Sequence, residues 1–451
     1  MSSAETRTPR SRALHSKACQ YLPMGVTGES RFYEPYPLVL ESAIGKWITD
    51  VDGNVYLDYH GALGCAILGY AHPEVERAVQ EALRNAGTLL GVPHRYEGEL
   101  AERLCELIPG VEMVAFFGGG GSDAIQQAIR IARAATGRTK IVKVEGGYQG
   151  WHSEVSVSTA PRLGAAPYVG LPTPVPNSAG VLEAVTDEVM VVTINDAKAL
   201  RSLFDDAGDE IAALLIEPVL YSSGCISVEK DYLAACRELT LKHGAVLVLD
   251  EVMTGFRNGV GGAGAQLGVR PDLAAFGKAV ANGHIMSFLG GSETLIRQLA
   301  PCGPVFYSGT FNGHSLSIAA ADATISVLQR DDVPERLALL GKRLASGIND
   351  VASTLQVAVV CQAVGSVWSV YFGTRAVRNY RDFAPWSTPE LLRLNAAFHE
   401  FLLQSGIYML RRHMNRCFIS AQHTETDIDR TVAVVGEFIE SHRQDLTSFE
   451  P

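Results

Sequence analysis

Short apolar runs alternate with segments of helical periodicity through the middle of the chain. Strands of a parallel sheet are unbroken apolar runs in sequence because helices cover both of their faces. Such runs cover residues 113–117, 141–144, 189–194, 212–216 and 245–249. Helical patterns occupy residues 73–85, 97–107, 123–136 and 231–243. This alternation predicts an α/β fold whose large domain has a mostly parallel sheet flanked by helices.

The two ends of the chain have a different pattern. Residues 1–40 lack periodicity and predict an irregular start, whereas residues 46–58 carry an Asp-Gly turn between two β-type runs, which is typical of a hairpin. Beyond about residue 328 the pattern becomes α+β, with predicted helices at 335–344, 389–403 and 427–441 and predicted strands at 357–360 and 367–372. We therefore expect three parts: an N-terminal arm and hairpin (1–70) that contribute to a small α+β domain, a large domain (71–328), and the C-terminal small domain (329–451).

Composition narrows the class of protein. The 451 residues are 47% hydrophobic, which excludes a disordered chain, and the net charge of −11 argues against a general binder of nucleic acid or anionic membranes. The polar start has no apolar signal core, and the eight cysteines lie singly, as in reduced cytosolic proteins. The twelve histidines have no convincing metal-ligand spacing. We expect a cytoplasmic enzyme without a metal.

A glycine run, Gly118–Ala124 ("GGGGSDA"), stands between a predicted strand and a predicted helix. Glycines let backbone N–H groups approach a ligand closely, and the first turn of a helix offers unpaired donors. The run suits a phosphate, although a plain flexible turn explains it equally well. It is not a P-loop, because no Gly-Lys-Ser/Thr follows.

Two charged residues lie in apolar surroundings further along. Asp250 follows the run "AVLVL", at the strand end where α/β proteins collect their ligands. Lys278 stands alone in "LAAFGKAVANG", and burial there would favour a neutral, nucleophilic amine. Taken singly, a helix cap or salt bridge explains Asp250, and a surface position explains Lys278. Together with the glycine turn they fit one cofactor, pyridoxal 5′-phosphate (PLP), which needs an amine, an acid and an anion cradle. Tyr148 offers an aromatic face for its ring.

The motifs "RIARAATGRTKIVKVEGGYQGWH", "LVLDEVMTGFR", "PDLAAFGKAVANG", "YSGTFNGHSLS" and "HTETDID" make the sequence resemble the class III (ornithine/ω-type) aminotransferases. Within this family of fold-type I PLP enzymes it is most similar to the glutamate-1-semialdehyde 2,1-aminomutases and related aminotransferases. The resemblance covers most of the chain, from about residue 22 to the last predicted helix.

The resemblance implies a role for each matching residue. Lys278 would be the Schiff-base lysine and Asp250 the partner of the pyridine nitrogen, with Val252 and Tyr148 on the two ring faces. The remaining positions would form the phosphate turn (Gly120, Gly121, Ser122), supply an acid on the cofactor's oxygen side (Glu217), reach the neighbouring subunit's cofactor in a homodimer (Thr310), and bind substrate (Arg31, Glu425). A surface salt bridge is the alternative for both Arg31 and Glu425. Arg411, Arg412 and Arg416 could hold a second anionic group, although a solvated loop is favoured.

Several positions depart from the family pattern. The usual Asn-Ser-Gly-Thr-Glu turn is here Gly119–Asp123, and the usual Tyr-His-Gly is Tyr148-Gln149-Gly150. Leu63 stands where the aminomutases have tryptophan, and their "AGSG" loop segment is missing around residues 155–164. His314 and Ser315 replace a common Asn-Pro. These changes point away from the aminomutase substrate.

We therefore expect an aminotransferase that moves an amino group between an amino acid or related amine and a keto acid or aldehyde through a Schiff base at Lys278. The alternative within the same chemistry is an isomerase, either an aminomutase or an amino-acid epimerase. A cofactor-binding protein without turnover is the alternative from another class. It agrees with the altered turn and Gln149 but not with the presence of both Lys278 and Asp250.

Overall fold

The computed structural model describes residues 7–161, 170–382, 388–411, 416–447 and 449. The strands in these residues are, in chain order, β1 Leu40–Ile44, β2 Trp47–Asp50, β3 Val55–Asp58, β4 Met113–Phe117, β5 Lys140–Val144, β6 Val189–Val192, β7 Ile211–Ile216, β8 Val219–Leu220, β9 Ile226–Ser227, β10 Val246–Glu251, β11 Leu273–Phe276, β12 Ser287–Gly291, β13 Val359–Val364, β14 Val367–Phe372, β15 Ile407–Tyr408 and β16 Cys417–Phe418.

The helices fall into two groups by length. The helices of ten or more residues are Pro9–Ala18, Pro73–Ala86, Arg95–Leu107, Gly121–Thr136, Ala197–Ala207, Lys230–His243, Ser315–Arg330, Val333–Leu355, Pro389–Gln404 and Glu425–Ser441. The shorter ones are Gly61–Gly64, Glu183–Thr186, Gly262–Leu267, Glu293–Ile296 and Arg443–Thr447, with 3₁₀ turns at Pro23–Gly25, Glu29–Arg31, Gly208–Glu210, Tyr221–Ser223 and Lys278–Ala281. None of the helices among the described residues is both long and apolar enough to cross a membrane.

A seven-stranded sheet in the order β4-β12-β11-β10-β7-β5-β6 forms the centre of the fold. The neighbours from β11 to β6 pair in parallel, and β12 runs antiparallel to both β11 and β4. Because six strands share one direction, their carboxyl ends meet at one edge of the sheet. The fold is therefore the predicted α/β arrangement, with one antiparallel strand inside it.

Both faces of this sheet are buried, which explains the unbroken apolar runs. In β10, Leu247 and Leu249 pack into one core, while Val246 and Val248 pack into a second core with the helix Gly121–Thr136. Alternate residues of a strand point to opposite faces, so each face needs its own apolar set. Helix cover on both sides makes every position apolar.

Two smaller sheets lie at the ends of the chain. The predicted N-terminal hairpin forms β2 and β3, which join β1 and are extended by β15 from the C-terminal part, with Ile407 opposite Leu57. A three-stranded sheet, β13-β14-β16, packs beside the helix Val333–Leu355. The N-terminal hairpin thus joins the C-terminal part of the chain, while the three predicted domain limits stay a prediction.

The predicted elements are confirmed within a few residues, with three corrections. The prediction of an irregular start was wrong, because a helix spans Pro9–Ala18. Its position depends on a distant contact: the Asp52 carboxylate accepts the N–H groups of Arg10 at 2.7 Å and Ser11 at 2.9 Å. The predicted helix 335–344 was too short, and the predicted strand 357–360 began two residues early.

Candidate active site

Three predicted residues meet at the carboxyl edge of the central sheet. Glu217 follows β7, Asp250 is the fifth residue of β10, and Lys278 follows β11 after a single glycine. These strands are consecutive in the sheet, and Asp250 is paired in register with Ala275 of β11. The sheet itself therefore holds an amine beside two carboxyl groups.

Lys278 is held in an unusual backbone conformation. Its φ of +46° lies in the left-handed region, which a residue with a side chain seldom adopts. Such strain persists where the surrounding structure imposes it, commonly at functional sites. Burial lowers the pKa of the Lys278 amine, opposed by the negative charge of Cys65 and Asp250 when these are ionised. A lysine with a lowered pKa is a better nucleophile and base near neutral pH.

The two neighbouring acids of β10 have different tasks. The buried Asp250 accepts a hydrogen bond from the Val252 N–H at 3.0 Å, and burial raises its pKa to about 6. Glu251 is enclosed by donors, accepting from the Thr254 hydroxyl at 2.5 Å and from the Gly264 N–H at 2.6 Å. Asp250 is thus the acid available to a ligand, and Glu251 is structural.

Glu217 connects the strand edge to the loop after β5. Its Oε1 accepts the Tyr148 N–H at 2.9 Å and the Gln149 amide at 3.4 Å. Burial, followed by the charge of Asp250, raises the pKa of Glu217 to about 8. Glu217 therefore holds a proton at neutral pH, which keeps two adjacent negative charges out of the buried site.

The glycine turn lies between β4 and the helix Gly121–Thr136, as predicted. Gly120 precedes the helix with a φ of +107°, and no side chain caps the helix there. A Cβ on Gly121 would come 2.5 Å from a Val252 methyl group, so the turn can approach Val252 this closely only with glycine. Ser122 lies in the first helical turn against Gly150. The first turn thus offers backbone donors and a hydroxyl to an anion.

Val252 and Tyr148 are the two residues predicted to contact the faces of the cofactor ring. Val252 contacts the glycine turn, and one of its methyl carbons lies 3.4 Å from the place of a Cβ on Gly277, the residue before Lys278. Tyr148 is 45% exposed, while its backbone is tied to Glu217. The ring of Tyr148 is therefore accessible, and its predicted contact with a cofactor ring stays a prediction.

The donor set fits PLP. Lys278 offers an amine for its aldehyde, Asp250 a carboxylate for its ring nitrogen, and the first turn after Gly120 a cradle for its phosphate. Beside Glu217, the Oε1 atom of Gln149 is buried without a hydrogen-bond partner among the described residues. An unsatisfied acceptor at this depth is typical of a site that a bound group completes.

Positive charge gathers at a second cluster near Lys278. Burial, followed by the positive charges of Arg416 and Arg31, lowers the pKa of His60 to about 4. Arg416 also lowers the pKa of Lys278. Arg31 is exposed and donates to the Thr27 hydroxyl, and Arg416 is half-buried. Arg412 lies outside the described residues, so both interpretations of this arginine segment, a solvated loop and an anion site, stay predictions.

The remaining two predicted residues lie on the surface. Glu425 begins the helix Glu425–Ser441 and pairs with Arg343 at 2.9 Å, so the alternative of a surface salt bridge describes its contacts. Thr310 is exposed on a loop whose Asn312 accepts the Gly118 N–H at 3.1 Å. The roles of Glu425 toward substrate and of Thr310 toward a second subunit stay predictions.

Sequence reasoning missed Cys65 and His60, which flank the site. They lie on either side of a turn in which Gly61, Ala62, Leu63 and Gly64 all have positive φ. The Asp58 carboxylate fixes this turn by accepting the N–H groups of His60 and Gly61. The glycines indicate a turn, but no sequence pattern indicates that the charge of Lys278 acts on Cys65 at the end of this turn.

Comparisons with known proteins agree with this geometry. Residues 29–433 match the family model described as aminotransferase class-III. A glutamate-1-semialdehyde 2,1-aminomutase from Rhodopirellula baltica is 36% identical over 441 residues, covering 96% of each chain. An ω-transaminase from Sphaerobacter thermophilus superposes with a TM-score of 0.88 at 30% identity, covering 96% of this chain and 98% of its own. A β-phenylalanine aminotransferase from Variovorax paradoxus superposes with a TM-score of 0.86 at 31% identity, covering 97% and 95%.

The match spans the glycine turn, all three strand-end residues and every strand of the two smaller sheets. Members of this family depend on PLP, for which the site has a fitting amine, acid and anion cradle. The chain therefore belongs to the class III aminotransferases, PLP-dependent enzymes of fold type I.

Proposed function

We propose that this enzyme is an aminotransferase that moves an amino group between a carboxylate-bearing amine and a keto acid or aldehyde. The observation that carries the proposal is the position of the buried Lys278 at the strand edge with Asp250 and Glu217, where the charge of Arg416 also acts on its amine. A substrate amine at Lys278 would have its carboxylate directed toward Arg31 and Arg416.

The residues divide the work of the reaction. When bound, PLP supplies an aldehyde and an electron-withdrawing ring. Lys278 would hold the aldehyde and, once released, move a proton at the substrate carbon, and burial supports this role by lowering the pKa of its amine. Asp250 would keep a proton on the ring nitrogen. Glu217 would place its proton on the oxygen side of the ring, supported by its raised pKa.

The substrate carboxylate would be bound at the entrance of the site, which we define as Arg31, His60 and Arg416. A guanidinium group binds a carboxylate through two parallel hydrogen bonds, and such bonds are among the strongest in proteins. Arg416 is the inner group, since its charge reaches Lys278, and Arg31 is the outer one. Glu425 keeps its proposed role as a further substrate-binding residue.

We also propose a homodimer in which Thr310 reaches the cofactor of the neighbouring subunit. Thr310 lies between Phe306 and Phe311, which are 72% and 58% exposed. Exposed aromatic side chains of this kind mark a surface that another protein covers. Thr310→Val should weaken PLP binding in the dimer, whereas a fully active monomer in sedimentation experiments would refute the shared site.

The second candidate is an isomerase, which the identity to the Rhodopirellula baltica aminomutase favours. An isomerase returns the nitrogen to the same carbon skeleton and needs no keto acceptor. Against the aminomutase stand Leu63, in place of tryptophan, and the missing "AGSG" segment. Both candidates use Lys278 and Asp250 in the same way.

One half-reaction separates the two. Cofactor-loaded protein is mixed with single amino acids and amines, without a keto acid, while the visible band of the cofactor and the products are followed by spectroscopy and mass spectrometry. Loss of the band with pyridoxamine phosphate and a keto product is the expected result. A retained band with a rearranged or epimerised amine would establish the isomerase instead.

A further inference from the structure

Lys143 is a fully buried lysine that the chemistry described so far does not use. It lies in β5, and its Nζ donates to the carbonyl oxygens of Gly147 at 3.0 Å, Val155 at 3.1 Å and Val157. The hydroxyl of Thr159 lies 3.4 Å away. One amine thus contacts both ends of the loop that follows its own strand.

The packing of two valine side chains explains why carbonyl groups of the loop after β5 are buried. Val155 and Val157 pack into the same core as Ile141, and the alternation of β5 places Lys143 on the face of Ile141. Their carbonyl groups are therefore buried outside the strands of the central sheet, where an unpaired acceptor destabilises the fold. Lys143 satisfies them from within the core.

The match between donor and acceptors is specific to an ammonium group. An ammonium has three N–H donors, and three carbonyl oxygens surround it. Burial lowers the pKa of Lys143 to about 7, and the charge of Glu217 opposes this change when that carboxyl is ionised. A hydrocarbon at this position would remove the Nζ donor from all three carbonyls and leave Val155 with only the longer bond from the Thr159 hydroxyl at 3.4 Å.

The segment that Lys143 fastens carries residues of the active site. Tyr148 and Gln149 follow Gly147 directly, and both donate to Glu217. At the far end of the loop, the Ser158 carbonyl accepts the Gly146 N–H at 2.8 Å, so both ends are closed together. Movement at Lys143 would therefore reach Tyr148 through one residue of backbone.

We propose that Lys143 is a positioning residue that holds Tyr148 in place for cofactor binding, acting through the carbonyl groups of Gly147, Val155 and Val157. The inference rests on the proposed contact of Tyr148 with the PLP ring. It assigns Lys143 no contact with the cofactor itself.

The test is a double-mutant cycle on PLP affinity. Cofactor-free Lys143→Met, Tyr148→Ala and the double variant are titrated with PLP, and visible circular dichroism records the asymmetry of the bound ring. Residues that orient a ligand-binding group typically alter affinity about 10–100-fold, and each single variant should weaken PLP binding by at least about tenfold. The double variant should bind within about twofold of Tyr148→Ala, since Lys143 acts through Tyr148.

Controls separate positioning from general stability. Lys140→Met, on the same strand, removes a partly exposed ion pair with Glu210 and should leave PLP affinity unchanged. A Lys143→Met protein that unfolds at lower temperature but binds PLP with unchanged affinity and dichroism would overturn the proposal, as would losses that add in the double variant. Unchanged affinity in Tyr148→Ala alone would instead refute the role of Tyr148. If Lys143→Met does not fold, Lys143→Gln, which keeps two donors, replaces it under the same criteria.

Discussion

The strand-end cluster and the entrance of the site are built in different ways. The cluster, formed by Glu217, Asp250 and Lys278, is fixed by three adjacent strands of one sheet. The entrance, formed by Arg31, His60 and Arg416, combines a 3₁₀ turn, the start of a left-handed turn and the segment before β16. Regular structure positions the groups proposed to act on the cofactor, and irregular segments carry those proposed to bind the substrate.

This difference has a functional consequence. Loops tolerate substitution without unfolding the protein, whereas a buried strand end does not. A family that keeps one cofactor and varies its substrates can therefore change the entrance alone. Mutations in the strand-end cluster should therefore lower kcat, whereas mutations at the entrance should raise KM.

Lys278→Ala should have the largest effect, because it removes both the anchoring amine and the proton carrier. Loss of a general base alone costs roughly 10²–10⁴-fold in kcat, so turnover should become undetectable in steady-state assays. Visible absorbance of the cofactor measures the anchoring function of Lys278, and kcat measures its function as proton carrier. The exposed Lys242→Ala, which breaks a surface pair with Asp205, serves as the control. Residual activity above a tenth of the wild type would show that the cluster does not carry the chemistry.

Asp250→Asn and Glu251→Gln should separate catalysis from stability on one strand. Asp250→Asn should lower kcat by about 10²-fold while the cofactor-free protein stays as stable as the wild type. Glu251→Gln should destabilise the protein by about 1–3 kcal/mol, because the amide cannot accept all the bonds from Thr254, Ala263 and Gly264. The measurements are kcat and the free energy of unfolding for both variants. A stability loss in Asp250→Asn together with a kcat loss in Glu251→Gln would exchange the roles of the two acids.

The same difference explains how much could be predicted from sequence. Asp250 and Glu217 follow unbroken apolar runs, and strand ends in an α/β sheet are a general location for chemistry. Arg416 and Cys65 have no such signal, because their positions near Lys278 depend on contacts between distant segments. The helix Pro9–Ala18 was missed for the same reason, since its contacts are with Asp52 across the chain. Local sequence patterns predict the strands and helices, whereas contacts between distant segments determine which residues lie near Lys278.

Mutation of Arg31 and Arg416 tests whether the entrance binds a substrate carboxylate. Arg416→Ala and Arg31→Ala should each raise KM for carboxylate substrates by about 10–100-fold, with little change in kcat, because a hydrogen bond to a charged group contributes about 1.5–3 kcal/mol. Amines without a carboxylate should be affected much less. The measurement is kcat and KM for one matched pair of substrates. Arg411→Ala, whose guanidinium lies over the ring of Tyr33, is the control within the same segment. Equal losses for both substrates would remove the carboxylate site from the entrance.

Glu217→Gln should have the smallest effect, a change in how stability depends on pH. Burial raises the pKa of Glu217 from its ordinary value of 4.5 to about 8, so the folded protein binds this proton more tightly than the unfolded chain does. The resulting stabilisation is complete below pH 4.5 and is lost as pH rises toward 8. Cofactor-free wild type should therefore lose about 2 °C more in Tm than Glu217→Gln between pH 5 and 8.

Thermal unfolding at four pH values across this range measures the difference, with the exposed Glu210→Gln as the matched control, which should follow the wild type. Asp250 titrates in the same direction, since burial raises its pKa to about 6, but it remains in both proteins being compared. Parallel curves for wild type and Glu217→Gln would mean that Glu217 is ionised in the folded protein. The strand-end cluster would then carry two adjacent negative charges, and Lys278 would have to remain protonated to balance them.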